Sequence, residues 1–493
     1  MVEIKSNIKN KIEPFIYKKM MEKEYKTNEI EAQELLTWNR IDLGFKLFYL
    51  KNKDKNKKEG EKIYKEDIKT QTFGKFIEYE NEKNDFDKFI KTFDQTYNNI
   101  KKKGFDKTDS IIPLSNNSTI INGAHRVASA IYLKKKVFTI ETEIEEMKCD
   151  YKMFKERGVS NEALEIAMKT FIEYSNLNTY IAFLWPSGKE RKQEALSKFS
   201  KIVYEKKINL NPNGAFNLLT ELYKHMDWSG TEKNNFKGIE QKLIECFPNF
   251  EDFKVIIFQA NNLEDVRKIK QEVRDLYDLE YSSIHITDTK EEAIRISKLI
   301  LNGNGLHFLN NAYPYKYLNQ YKELDKFKIF LNENQINSED IVLDGSMTLS
   351  LYGLRENKDI DYLLSEHKKI KFSDSNFENH DSELKYHKIN KQDIIYDGKY
   401  FFEYNGLKFI SFNQLYSMKK NRNGKKDQID CEIMKSLVEN KKIKILLLNK
   451  KQKLRYYKIK IKNNTKSLIL NILKRIEIYN IIRYLYRKIK GAK

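Results

Sequence analysis

The chain has 493 residues, and at roughly 150 residues per domain that length suggests about three domains. Hydrophobic residues at 40% and aromatics at 13% suffice for packed cores and exclude global disorder, while six prolines and 18 glycines exclude collagen-like and proline-rich chains. The net charge of +20 is uneven: positions 441–493 hold 18 bases and one acid, leaving 73 bases against 70 acids in 1–440, so the basicity is not by itself a nucleic-acid signature.

Cys149, Cys246 and Cys431 lie far apart with no CxxC spacing, which argues against a disulfide scaffold or structural zinc site and fits a reducing cytoplasm. Positions 1–31 are studded with charges, so no signal peptide is expected there. No run of about 18 uncharged apolar residues predicts a membrane-spanning helix. No period of 20–50 residues recurs, which argues against a solenoid.

Positions 1–104 read as charged helices interrupted by a solvated loop at 51–58. A strand is predicted at 119–121, turning at Asn122-Gly123 into a helix near His125 whose apolar face is Val127, Ala128, Ala130, Ile131 and Leu133. The run Asn122-Gly123-Ala124-His125-Arg126 resembles the ParB/sulfiredoxin superfamily, marked by a strand, Asp-Gly-x-His-Arg and a helix. The resemblance covers about 40 residues and implies a nucleotide or phospho-ligand pocket in which Gly123, His125 and Arg126 bind phosphate. The chain departs from the pattern twice: Asn122 stands where Asp is frequent, and Ala124 stands where sulfiredoxins carry Cys, which excludes sulfinic reductase chemistry.

From 160 to about 243 the period is mostly helical, with loops at Trp185-Pro186-Ser187-Gly188 and Asn211-Pro212-Asn213-Gly214. The Gly188-Lys189 pair lacks Walker spacing and is not a P-loop. His225, Asp227 and Trp228 cluster before Gly230, as either a substrate site or a packed turn. From 253 an alternating rhythm predicts strands at 255–258, 284–286 and 306–309 and helices at 263–277 and 291–301. Asp288 and Thr289 follow the strand carrying His285, as a ligand site at a strand end or as a helix cap.

The strongest chemical signal lies at 341–364. An apolar strand runs into Gly345-Ser346, a short helix follows, and a second strand is predicted to carry Asp359 and Asp361 on one face. Paired carboxylates of this kind suit Mg²⁺ held jointly with substrate phosphates, and Gly345-Ser346 suits a phosphate. Gly-Ser followed 13 residues later by Asp-x-Asp resembles the DNA polymerase β-type nucleotidyltransferase superfamily. Downstream, Lys419, Arg422, Lys426-Asp427 and Asp430 look like that family's following helix, so the resemblance covers about 100 residues. It implies Mg²⁺ (or Mn²⁺) bound by Asp359, Asp361 and a third acid, best matched by Asp393 in a strand-like Gln-Asp-Ile-Ile, ahead of Asp397 and Glu403. Arg355, Lys358 and Lys419 read either as phosphate contacts or as surface charges.

The tail combines Leu468, Ile472, Ile476, Ile482 and Leu485 with Lys466, Lys474, Arg475, Arg483 and Arg487. A basic amphipathic helix of this composition suits an anionic membrane surface or docking on the body, with RNA as a third option. The resulting expectation is a mixed α/β (α+β) multidomain chain. Its parts are a helical segment plus ParB/sulfiredoxin-like domain at 1–150, a helical then α/β middle region at 151–320, a nucleotidyltransferase-fold domain at 321–440 and a basic helical tail at 441–493. Function is expected to be nucleotidyl or phospho-alcohol transfer from a nucleoside triphosphate or nucleotide-linked donor to a glycan or small-molecule acceptor. Such a transferase would be cytoplasmic, peripheral at the inner membrane, and active in surface-polysaccharide or lipopolysaccharide modification. The alternatives are a regulatory or toxin–antitoxin-type nucleotidyltransferase with nucleic-acid contacts, and a ParB-like small-molecule kinase.

Overall fold

Three sheets follow one another along the chain in a computed structural model that describes residues 2–78, 83–176 and 178–439, with scattered positions between 454 and 478. But for those positions, the expected basic tail lies outside the described residues. The first sheet joins β1 (Val2–Ile4), β2 (Glu24–Glu31), β3 (Ile112–Leu114) and β4 (Lys136–Glu141) in the order β1-β2-β4-β3. The expected loop near 51–58 is a short break, where the Asn56 side chain caps the helix Lys57–Gln71. Two expectations are corrected. The segment 24–31 is a strand rather than part of a helix, because its N-terminal half alternates Tyr25 and Thr27 inward with charged neighbours outward. The strand before the Asn122-Gly123 turn is Ile112–Leu114; Ile120 reaches it only through an isolated bridge to Leu114 after a turn at 115–118.

The second sheet comprises β5 (Thr179–Leu184), β6 (Ile202–Ile208), β7 (Phe253–Gln259) and β8 (Ile284–Ile286), all antiparallel in the order β6-β7-β5-β8. β5 and β6 lie within the stretch read as helical. All six residues of β5 are buried, so the strand carries no alternation to betray it. Positions 306–309, read as a strand, belong to the helix Gly303–Asn311, which the Asn302 side chain caps by accepting from the Asn304 and Gly305 N–H groups. Phe308 of that helix stacks on Phe402, 4.7 Å between centroids, and so joins the second sheet's helices to the third sheet.

The third sheet is mixed: β9 (Ile341–Asp344), β10 (Ile360–Leu364), β11 (Phe377–Asn379), β12 (Phe401–Tyr404) and β13 (Leu407–Ile410), ordered β11-β10-β9-β13-β12. β9 runs antiparallel to β10 and parallel to β13, and β10 runs parallel to β11. Asn405 and Gly406, both with positive φ, close the β12–β13 hairpin. The chain is thus mixed α/β with several small sheets, as its composition and patterning suggested.

One continuous apolar core runs from Ala32 to Met434, touching all three sheets. Ion pairs cross the same junction at Glu339. Lys298 Nζ meets its Oε1 at 2.5 Å, while Lys408 and Lys51 meet Oε2 at 3.3 and 3.7 Å. These lysines come from three different parts of the chain, and burial of Glu339 is outweighed by their charges, which hold its carboxyl well below the usual range. Glu339→Gln should therefore destabilise the whole chain by about 2–4 kcal/mol, discounted because a fifth of the side chain still meets solvent. Thermal unfolding should show one shifted transition; a shift confined to one of several transitions would refute the shared junction.

Candidate active site

β9 ends at Asp344, and the chain turns at Gly345 into the short helix Ser346–Leu351. Gly345 has φ +65°, and a Cβ there would lie 2.2 Å from Asp361 Oδ2, so only glycine lets the turn and the carboxylate coexist. The register places Asp344 of β9 opposite Asp361 of β10, and Asp361 opposite Glu378 of β11. Three acids therefore form a row across adjacent strands. Asp359, just before β10, sits exposed at the lip, its Oδ1 accepting from Ser346 Oγ at 3.4 Å.

Such a row is electrostatically costly unless positive charge offsets it. Two histidines hydrogen-bond to the row, and His380 adds charge to it. His380 Nδ1 lies 3.1 Å and His387 Nε2 3.0 Å from Asp344 Oδ2, and His380 Nε2 lies 3.5 Å from Asp361 Oδ1. Gln414 donates to the His387 carbonyl at 3.0 Å. Burial opposes ionisation of Asp344, but the two histidine hydrogen bonds outweigh it and hold that carboxyl below its ordinary range. Asp361 moves the other way. Burial, only partly offset by His380 and reinforced by Asp359, Asp344 and Glu378, pushes it up to about 6. His380 is raised from its ordinary 6.5, since bonding to Asp344 and the two aspartate charges outweigh desolvation.

Asp344 Oδ1 is buried without a hydrogen-bond partner among the described residues. Among the described residues no group of three or more His, Cys, Asp or Glu could hold a metal ion by itself. Asp359 and Asp361 are the donors that could hold a hard cation, with a ligand's phosphates completing its shell.

The other sequence-derived residues divide. Asp393 lies on the helix Lys391–Tyr396, not on a strand, and accepts from Asn56 Nδ2 at 3.0 Å. No described contact joins it to the acid row, and Glu378 is the neighbouring-strand acid instead. Glu378 was missed because β11 is only three residues long and follows a polar stretch that reads as loop. Arg355 is bidentate to Asp430 at 2.6 and 3.0 Å, and Lys419, 2% exposed, meets the same carboxylate at 2.9 Å. Arg422 grips Asp427. The Lys/Arg/Asp pattern of 419–430 thus locks two helices together, and Arg355 and Lys419 both pair with Asp430.

Near the N-terminus, Gly123 (φ +90°) opens the helix Ala124–Tyr132, and Gly123, His125 and Arg126 line one cavity of about 670 Å³. The Tyr64 hydroxyl meets His125 Nε2 at 2.7 Å, and burial, with Lys46 and Lys83, lowers that imidazole's pKa well below 6.5. Arg126 contacts Ser110 and, at 3.3 Å, Asn122. Arg40, Asp42 and Lys46 share the lining; Lys46 bridges Asp42 at 3.1 Å and Asp67 at 2.6 Å. Arg40 precedes the helix that carries Asp42 and Lys46, and Asp67 lies on the next helix, so only folding brings the four together and the sequence did not reveal them.

Comparisons with protein-family models, with curated proteins and with solved structures returned no match.

Two outcomes follow from this geometry. Gly345→Ala should cost about 1–3 kcal/mol in urea unfolding, whereas Gly303→Ala, with open space at its Cβ, should stay within about 0.5 kcal/mol of wild type. Asp361 and His380 both hold a proton more tightly folded than unfolded, so their contributions fade as pH rises, from about 4 to 6 for Asp361 and above about 6.5 for His380. Asp344 acts oppositely, stabilising above about pH 4 and losing that on acidification. In Asp361→Asn the fall in unfolding midpoint between pH 4 and 6 should be smaller than in wild type; an unchanged profile would contradict the shift.

Proposed function

We propose that the chain is a metal-dependent transferase of nucleotidyltransferase type, moving a nucleotidyl or phospho-alcohol group from a nucleotide-linked donor to a glycan or small-molecule acceptor. The observation that carries this reading is the acid row Asp344–Asp361–Glu378 directly beneath the Gly345-Ser346 turn. Asp359 and Asp361 would hold Mg²⁺ or Mn²⁺, which supplies neutralisation of phosphate charge and a lowered pKa for an attacking hydroxyl.

The chain's own residues do the rest. Gly345 leaves room for the Asp361 carboxylate to lie against the turn, and the Ser346 hydroxyl can donate to a phosphate oxygen in place of Asp359. His387 and His380 keep Asp344 ionised and fixed, and His380 in turn orients Asp361. Cytoplasmic action at the inner leaflet, with 441–493 on anionic lipid, and a role in surface-polysaccharide or lipopolysaccharide modification, belong to this proposal. No helix among the described residues is long and apolar enough to cross a membrane. A second reading, phosphoryl transfer to a small molecule at the N-terminal cavity, is favoured by the buried Arg40–Asp42–Lys46 cluster beside Arg126.

Wild type and Asp361→Asn should be incubated with Mg²⁺ or Mn²⁺, nucleoside triphosphates, CDP-linked alcohols and candidate acceptors, with products identified by mass. Release of pyrophosphate or nucleoside monophosphate should fall by at least about 100-fold in the variant. ADP release that ignores Asp361→Asn and vanishes in Arg126→Met would move the chemistry to the N-terminal cavity.

A further inference from the structure

The largest cavity described, about 970 Å³, lies in neither of these places but beside the second sheet. It opens between the helices Pro212–Tyr223, Lys237–Cys246 and Leu263–Tyr277 and the end of β8. That volume suits a ligand of drug or mononucleotide size.

Its carboxylates are largely committed. Glu292 accepts from the Asp288 N–H at 2.9 Å and pairs with His285 Nε2 at 3.2 Å, and Glu245 accepts from Ser282 and Gln241, each at 2.9 Å. Of its cations, Lys242 donates to the Tyr281 carbonyl and Arg295 pairs with Glu221 at 3.1 Å, which leaves Lys270 and Arg274. Lys270 and Arg274 stand four residues apart on the helix Leu263–Tyr277 and so share one face. The nearest acid to Lys270 is Asp288, at 3.7 Å, and burial lowers the Lys270 pKa, the mark of an ammonium short of counter-charge. The Arg274 guanidinium stacks 4.7 Å above the Tyr281 ring, and its Nε is buried without a hydrogen-bond partner.

Two cations with spare donors match a single group carrying close to two negative charges, such as a phosphate monoester, better than they match one carboxylate. The same cavity is lined by the aromatic rings of Tyr223, Trp228 and Tyr281. Trp228 is 45% exposed and packs 5.2 Å from Tyr223, which leaves indole surface facing the cavity. A half-exposed tryptophan at a cavity wall offers a platform for a flat ring.

We propose that this cavity binds a free mononucleotide, its terminal phosphate held by Lys270 and Arg274 and its base stacked on Trp228. The site draws on no residue of the acid row and does not depend on what that row does.

Full-length protein in EDTA, which removes divalent metal from the carboxylates, is titrated calorimetrically with AMP, CMP, GMP, UMP, adenosine and ribose 5-phosphate. At least one nucleoside monophosphate should bind with Kd below about 1 mM. Lys270→Gln and Arg274→Gln should each weaken it about 10-fold or more, with Arg274→Lys falling between. Trp228→Ala should weaken the nucleotide and leave ribose 5-phosphate unchanged. Asp361→Asn and Arg126→Met should bind as wild type does. The proposal is overturned if no mononucleotide binds, if binding survives both glutamine substitutions or disappears in Arg126→Met, or if adenosine or an unphosphorylated single-stranded oligonucleotide binds as tightly. Both glutamine sites are partly exposed, and unchanged melting temperatures separate loss of binding from loss of fold.

Discussion

The whole arrangement turns on one carboxylate, Glu339, and the three lysines gathered round it. Lys51 comes from the helix Asp42–Asn52, Lys298 from the helix Lys290–Ile300 and Lys408 from β13, so a single side chain ties together segments more than 350 positions apart. Lys298 also meets Glu403 at 2.8 Å, and Lys408 donates to the Glu339 carbonyl at 2.8 Å, which spreads the charge over a small network. Desolvating such a network is costly, and the apolar core around it supplies the offsetting burial. What the network adds is specificity of docking, since any other placement of the three segments would strand a buried charge.

The acid row at Gly345 answers a related problem differently. Where Glu339 collects cations from afar, Asp344 and Asp361 rely on histidines a few positions beyond the neighbouring strand β11. The outcome is asymmetric: Asp344 is locked as an anion, whereas Asp361, facing Asp359 and Glu378 with only His380 to relieve it, stays reluctant to ionise. The row thus holds one carboxylate as a fixed anion and leaves the next under repulsion that its neighbours only partly relieve. The cavity at Lys270 and Arg274 shows the reverse case, where Asp288 alone pairs with Lys270 and the Arg274 Nε has no hydrogen-bond partner among the described residues.

The sequence made some of this legible and hid the rest for identifiable reasons. The helix Leu263–Tyr277 and strands β7, β8 and β9 were readable because caps and periodicity agree with burial there. The placement of Gly345-Ser346 beside Asp361 was readable because the turn, short helix and strand that create it span only 17 residues. β5 was not, since a strand buried on both faces looks like any apolar run. Asp393 misled because Asp-Ile-Ile suits a strand locally, while Asn390 caps a short helix there. Glu378 and the Arg40–Asp42–Lys46–Asp67 cluster depend on register and tertiary folding, which spacing along one sequence does not encode.

The core that passes unbroken from Ala32 to Met434 has a practical corollary for anyone dissecting the molecule. Residue 321 looks like a natural place to cut, because a polar connector precedes the third sheet. A piece starting there would lose Phe308 from the face of Phe402 and leave Glu339 with Lys408 alone of its three lysines. Its insolubility or inactivity would then report on a torn core and not on chemistry. Roles within this chain are better assigned by single-residue replacement in the intact polypeptide than by expressing its parts.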